Sequence, residues 1–174
     1  MKRRRFLTLA AAAGTALIAG SWYWPNRWKY IVVHHSAGDF ATIESLQEVH
    51  RERQPGDPID AIPYHYVIGN GNGIGMGEIA NDWRSDFNIW GTHVSARNKA
   101  HNFAGIGICL VGNFEVSPVP EPQFEALLML TKELMARYDI GPTDVGFHGK
   151  IDGESTKCPG RLFPFGRFRD ALLG

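Results

Sequence analysis

The hydrophobic pattern of the chain alternates between short apolar runs and amphipathic stretches. Tyr30-Ile31-Val32-Val33-His34-His35 is an apolar run that reads as a buried strand. Residues 42–53 follow with a helical period: Thr42 can cap, and Ile43, Leu46, Val49 and His50 recur on one face. The Pro55-Gly56 and Asp57-Pro58 pairs make 54–60 a loop. Tyr64-His65-Tyr66-Val67-Ile68 predicts a second strand, and the glycine-rich turn at 69–73 predicts a hairpin whose return strand covers 74–78. Residues 79–105 show no period and are expected to be irregular, although they hold Trp83, Trp90, His93 and His101. The nearly all-apolar run at 106–112 predicts a central strand covered on both faces. A wide apolar face built on Phe124, Leu127, Leu130 and Leu134 predicts a helix over 120–138. A short strand at 145–148, a polar loop to Gly160 and a last helix ending at Leu172 complete the chain. Strands interleaved with helices predict an α/β fold, a central and mostly mixed β-sheet flanked by helices in a single domain.

Composition narrows this picture. With 174 residues, 44% of them hydrophobic and 21% charged, the chain can bury one sizeable core and is too apolar for a disordered segment. Two cysteines cannot staple a domain of this size, and no repeat of 20 to 50 residues is visible. The 18 basic and 18 acidic residues give no reason to expect a nucleic-acid partner.

That balance is uneven along the chain. Residues 1–21 carry Lys2, Arg3, Arg4 and Arg5 and no acid, then an apolar stretch rich in Ala and a small-residue site at Ala19-Gly20-Ser21. This is the layout of an export signal, and Arg3-Arg4-Arg5-Phe6-Leu7 resembles the twin-arginine pattern. The alternative is an uncleaved anchor extended by the aromatic residues of the 22–29 linker, which would attach the protein to the inner membrane. The remaining chain has a net charge of −4, and the expected location is the periplasm or cell envelope.

There is no G-x-S-x-G elbow, phosphate loop or H-E-x-x-H in the sequence. What it offers is His34-His35 at a strand end, and His148 followed ten residues on by Cys158. Two imidazoles and a thiolate would make a three-ligand zinc site with its fourth position open, as catalytic zinc sites have. A Cys109–Cys158 disulfide is the competing use of that thiol. It is disfavoured because Cys109 lies in an apolar run, where a free cysteine behaves as a small buried hydrophobe.

Four motifs then occur in a telling order: Val33-His34-His35-Ser36-Ala37, Tyr64 to Ile68, Ile106 to Phe114, and His148 to Cys158-Pro159-Gly160. Together they resemble the zinc-dependent N-acetylmuramoyl-L-alanine amidases, the superfamily shared by peptidoglycan recognition proteins and amidase-type phage lysozymes. The likeness spans about residues 30–173 and makes 30–174 the amidase domain. It implies a groove on one face of the sheet leading to Zn2+, with His34, His148 and Cys158 as ligands. It further implies Tyr64 beside the metal, Thr156 or Lys157 as a transition-state contact, and His93 and Asn102 as groove residues contacting the muramyl peptide.

Strand alternation allows only one of His34 and His35 to face the groove, and His35 is expected to pack. The implied activity is hydrolysis of the amide between N-acetylmuramic acid and L-alanine in peptidoglycan or muropeptides, by a monomer. The alternative is a module that binds peptidoglycan without cutting it. Such relatives lack the cysteine ligand. The chain departs from the family pattern in its ten-residue His-to-Cys spacing, usually about eight. The departure leaves open which of Asp152, Glu154, Thr156 and Lys157 approaches the metal.

Overall fold

The structure, a computed structural model, describes residues 27–174. The leader and most of the 22–29 linker lie outside the described residues. Trp28, at the linker's end, already belongs to the core at 2% exposure, its ring packed edge-on to His65 and its Nε1 donating to Asn88.

Five strands form one mixed sheet in the order β3-β2-β4-β1-β5: β1 (Tyr30–His35), β2 (Tyr66–Ile68), β3 (Ile79–Asn81), β4 (Gly105–Leu110) and β5 (Val145–Phe147). β1 runs parallel to both β4 and β5, β2 is parallel to β4, and only the edge strand β3 is antiparallel. The α/β architecture expected from the sequence is the one observed. Apolar runs without alternation belong to strands with both faces covered, and every residue of β4 is buried.

The two faces differ in what covers them. Ile31, Val33, Ile106, Ile108 and Leu110 point to one side, where helices α4 (Glu121–Tyr138) and α5 (Phe165–Leu173) bring Phe124, Leu127, Leu130, Leu134 and Phe168. This is the main core. On the other side Val67, Cys109 and Val111 meet Ala41, Ile62 and Ile74, with Ile43 and Leu46 of helix α1 (Ile43–Arg53) packed against them. Thr42 caps α1 as expected: its hydroxyl accepts the Ser45 N–H while the Ser45 hydroxyl accepts the Thr42 N–H.

Three expectations are corrected. The hairpin does not return at 74–78. Ile74 instead goes to the second core, its N–H bonded to the Ala41 carbonyl, so 69–78 folds as a compact loop and β3 begins only at Ile79. Tyr64 and His65 precede the regular strand, because the His65 imidazole takes the Gly107 N–H that a ladder bond would otherwise use. The stretch 79–105 is not irregular throughout. It holds β3, the short helix α2 (Trp83–Asp86) and helix α3 (Lys99–Ala104), all too brief for a hydrophobic period to register. Among the described residues no helix is long and apolar enough to cross a membrane.

Arg84 of α2 is fully buried. It donates to the carbonyls of Ile62 and Trp90 and lies 3.4 Å from Asp57, whose carboxylate also accepts from His50 and Thr92 at 2.9 and 2.7 Å. This network ties the loop after α1 to the 90–93 segment. Arg84→Met leaves two carbonyls and a buried carboxylate short of partners, and is expected to lower unfolding free energy by about 3–5 kcal/mol. Urea denaturation followed by tryptophan fluorescence checks it, and a loss below about 1 kcal/mol would contradict the assignment.

Candidate active site

Three parallel strands end side by side, and the chemistry of the chain gathers at their C-terminal ends, where open α/β sheets bind ligands. His34 is the fifth residue of β1, and its register partner on β4 is Cys109. His148 follows β5 directly, in a single 3-10 turn. Cys158 comes back to this point at the end of the 151–158 loop, held by the Gly149 N–H on its carbonyl (2.7 Å) and by its own N–H on the Thr156 hydroxyl (3.2 Å). Alternation does what was expected of it. His34 is 1% exposed on the groove side, while His35 turns to the opposite face, where its ring packs near Phe114 and accepts that residue's N–H.

His34, His148 and Cys158 converge, with one donor atom from each lying within 4.8 Å of the others. The His34 and His148 Nδ1 atoms are 3.2 Å apart, and Cys158 Sγ is 3.8 Å from His34 Nδ1. A tetrahedral zinc with ordinary bond lengths has N···N and N···S edges of about 3.4 and about 3.6 Å, so the spacing suits such an ion.

The hydrogen bonds behind the rings decide which lone pairs are bare. His93 Nε2 faces the Gly105 carbonyl at 3.2 Å, which can only accept, so the proton of His93 sits on Nε2 and its Nδ1 is an acceptor. That Nδ1 lies 3.1 Å from His34 Nε2, which therefore carries the His34 proton and leaves Nδ1 free. Burial keeps these rings neutral. It pulls His93 down to about 3 and His34 well below the usual histidine range, with His93 and His148 adding to the effect on His34. His148 Nε2 faces the Glu154 carboxylate at 3.1 Å, so its Nδ1 is bare as well. Two uncovered Nδ1 lone pairs face each other at 3.2 Å beside a thiol, and a divalent cation suits that donor set. Both cysteines are free, so Cys158 is not tied up in a disulfide. Burial pushes its thiol up to about 12, against the pull of the His35 N–H on Sγ.

The other expected residues are placed as follows. Tyr64 lies beside the cluster, its ring centroid 5.1 Å from that of His34. Burial, then the nearby thiols, hold its hydroxyl well above the ordinary tyrosine value. His93 is in the wall but 5% exposed, with both nitrogens engaged; a Cβ on Gly107 would come within 2.8 Å of its ring, so only glycine leaves room there. Asn102 spends its amide on the Val94 N–H and carbonyl, which pins the loop carrying His93. Thr156 stays next to Cys158, its hydroxyl accepting the Cys158 N–H, while Lys157 reaches outward, 83% exposed and 3.7 Å from Glu115.

The sequence left undecided which loop residue approaches the site, and the structure brings in Glu154. Asp152 contributes only a backbone carbonyl, bonded to Asn98. A cavity of about 190 Å³ opens beside Tyr64, His93 and His148, and Ser36, Arg53 and Gln54 line its other walls. A second, of about 390 Å³, lies on the far side of Cys158 between Lys150, Lys157 and Arg161.

The family model for N-acetylmuramoyl-L-alanine amidase matches residues 24–161. The chain belongs to this family. Solved structures agree with that placement. N-acetylmuramoyl-L-alanine amidase LysC from Clostridium intestinale is 29% identical, with a TM-score of 0.68 over 85% of this chain and 88% of its own. The endolysin amidase LysCS from the same organism is also 29% identical, with a TM-score of 0.69 over 85% and 86%. Drosophila peptidoglycan recognition protein SD, at 21% identity and a TM-score of 0.61 over 78% and 76%, shares the fold. No curated protein sequence matches the chain.

For this member of the amidase family, the geometry predicts that added Zn2+ raises the thermal midpoint of the wild type. The ion would bind the folded form alone, adding about 2.7 kcal/mol at a hundredfold excess over Kd. Cys158→Ser should lose that shift in differential scanning fluorimetry. His35→Ala, altered on the opposite face, should keep it, and loss of the shift in His35→Ala alone would reverse the assignment.

Proposed function

We propose that the protein is a zinc-dependent hydrolase that cleaves the amide between the lactyl carboxyl of N-acetylmuramic acid and the L-alanine of the stem peptide. The observation that carries this reading is the meeting of two bare Nδ1 atoms and the Cys158 thiol at the ends of β1 and β5, beside an open groove. His34, His148 and Cys158 would hold the ion. A bound Zn2+ would supply Lewis-acid polarisation of the amide carbonyl and bring the pKa of water towards ~7.

The residues of the chain do the rest. Tyr64, whose ring lies 5.1 Å from that of His34, would donate its hydroxyl hydrogen to the negative charge that grows on the carbonyl oxygen. Thr156 accepts the Cys158 N–H and retains its own hydroxyl hydrogen for the same oxygen. Lys157 would first have to leave Glu115, an exposed pair worth at most about 1 kcal/mol; its position away from the cluster favours Thr156 as the contact. His93 and Asn102 serve the muramyl peptide by shaping the groove, because their polar atoms are already committed to His34, Gly105 and Val94. Arg53 supplies a cation at the groove wall for a stem-peptide carboxylate.

Cys158 separates this reading from a module that only binds, since relatives of that kind lack the thiol. A substrate of the cell wall and the basic, apolar leader at 1–21 together support action outside the cytoplasm.

Turnover of purified murein, followed by release of free stem peptide, is the test. The wild type should release peptide, lose the activity to a chelator and regain it with Zn2+. Cys158→Ser should be inactive, and Tyr64→Phe should lose about 10²–10³ in kcat. Murein that is bound without peptide release would make the protein a recognition module.

A further inference from the structure

We propose that Glu154 is a positioning residue that fixes the tautomer of His148 and, through the same carboxylate, locks the 95–98 segment to the metal-binding loop. The inference rests on the reading of His148 as a metal ligand. It adds a residue that the family motifs do not supply, since the ten-residue His-to-Cys loop carries it in.

The two oxygens of Glu154 have separate tasks. Oε2 faces His148 Nε2 at 3.1 Å. Oε1 accepts three hydrogen bonds: from the Ser95 N–H at 3.0 Å, the Ser95 hydroxyl at 2.6 Å and the Asn98 amide at 2.6 Å. The side chain is 4% exposed, and that of His148 is 20% exposed. Three donors converge on Oε1 and the imidazole faces Oε2, an arrangement that a carboxylate accepting at both oxygens satisfies in full.

An acceptor at Oε2 requires the His148 proton on Nε2 and leaves Nδ1 bare towards His34 and Cys158. Carboxylates behind ligating histidines fix ring orientation in this way, and losing one typically costs 10–100-fold in metal affinity. The bridge also has a consequence for the groove. Ser95 and Asn98 follow His93 directly in the chain, so the groups behind both histidine ligands, the His93 ring and the Glu154 carboxylate, are held by one connected stretch, 93–98.

The three donors on Oε1 make an isosteric variant informative. In Glu154→Gln the amide oxygen must stay where those donors converge, so the amide NH2 faces His148 Nε2. Two donors then oppose each other unless the His148 proton moves to Nδ1, which blocks the metal-binding lone pair. A residue that merely ties down the 95–98 loop would predict the reverse order, with glutamine harmless and alanine damaging.

The experiment uses the full-length chain and its Glu154→Gln, Glu154→Ala and His148→Ala variants. Zn2+ affinity is read by competition with a chromophoric chelator, and the His148 tautomer in metal-free protein by 15N correlation spectra at pH 8. Glu154→Gln should keep a thermal midpoint nearer the wild type than Glu154→Ala does, yet lose at least tenfold in Zn2+ affinity, no less than Glu154→Ala. Its His148 should change from Nε2-protonated to Nδ1-protonated. Wild-type affinity and tautomer in Glu154→Gln would overturn the proposal. Equal Zn2+ binding by the wild type and His148→Ala would instead overturn the metal reading, and the tautomer measurement would still decide the role of Glu154.

Discussion

Neighbouring residues on a strand point to opposite faces, and in β1 that constraint separates two adjacent histidines into different environments. His34 enters the groove side and meets His93, His148 and Cys158, while His35 enters the other side and serves as an acceptor for Phe114. A slip of one residue in the pairing of β1 with β4 and β5 would exchange them and would also turn Ile31 and Val33 out of the main core. The hydrophobic core therefore sets the register, and the register sets the site.

From that placement the electrostatics follow. Burial makes charged imidazoles unfavourable, so the rings of the cluster are neutral and each has one proton to place. The acceptors behind them, the Gly105 carbonyl reached through His93 and the Glu154 carboxylate, draw those protons outward. What remains inside is a set of lone pairs aimed at one point. The main chain contributes too: the His35 N–H reaches Cys158 Sγ, so a single strand offers a side chain to the cluster at one residue and a backbone donor at the next.

Much of this could be read from the sequence, because the signals were long or paired. The period of α4, the unbroken apolar run of β4 and the capping residue of α1 each depend on local chemistry that the structure keeps. That His34, His148 and Cys158 come together was legible through motif order. What was lost depended on contacts distant in sequence. Ile74 left its expected strand for a core built with Ala41 and Ile62, and His65 holds Gly107 with its backbone N–H on the carbonyl and its ring on the N–H. Glu154 gave no sign beyond lying in an unusually long loop, since its meaning comes from Ser95 and Asn98, which lie more than 50 residues away.

The central claim is the identity of the metal ligands, and X-ray absorption at the zinc K-edge of the loaded protein tests it most directly. The account predicts one sulfur at about 2.3 Å together with imidazole nitrogens at about 2.0–2.1 Å, and a count of two for the imidazoles. A first shell without sulfur, or one with a single imidazole, would contradict it.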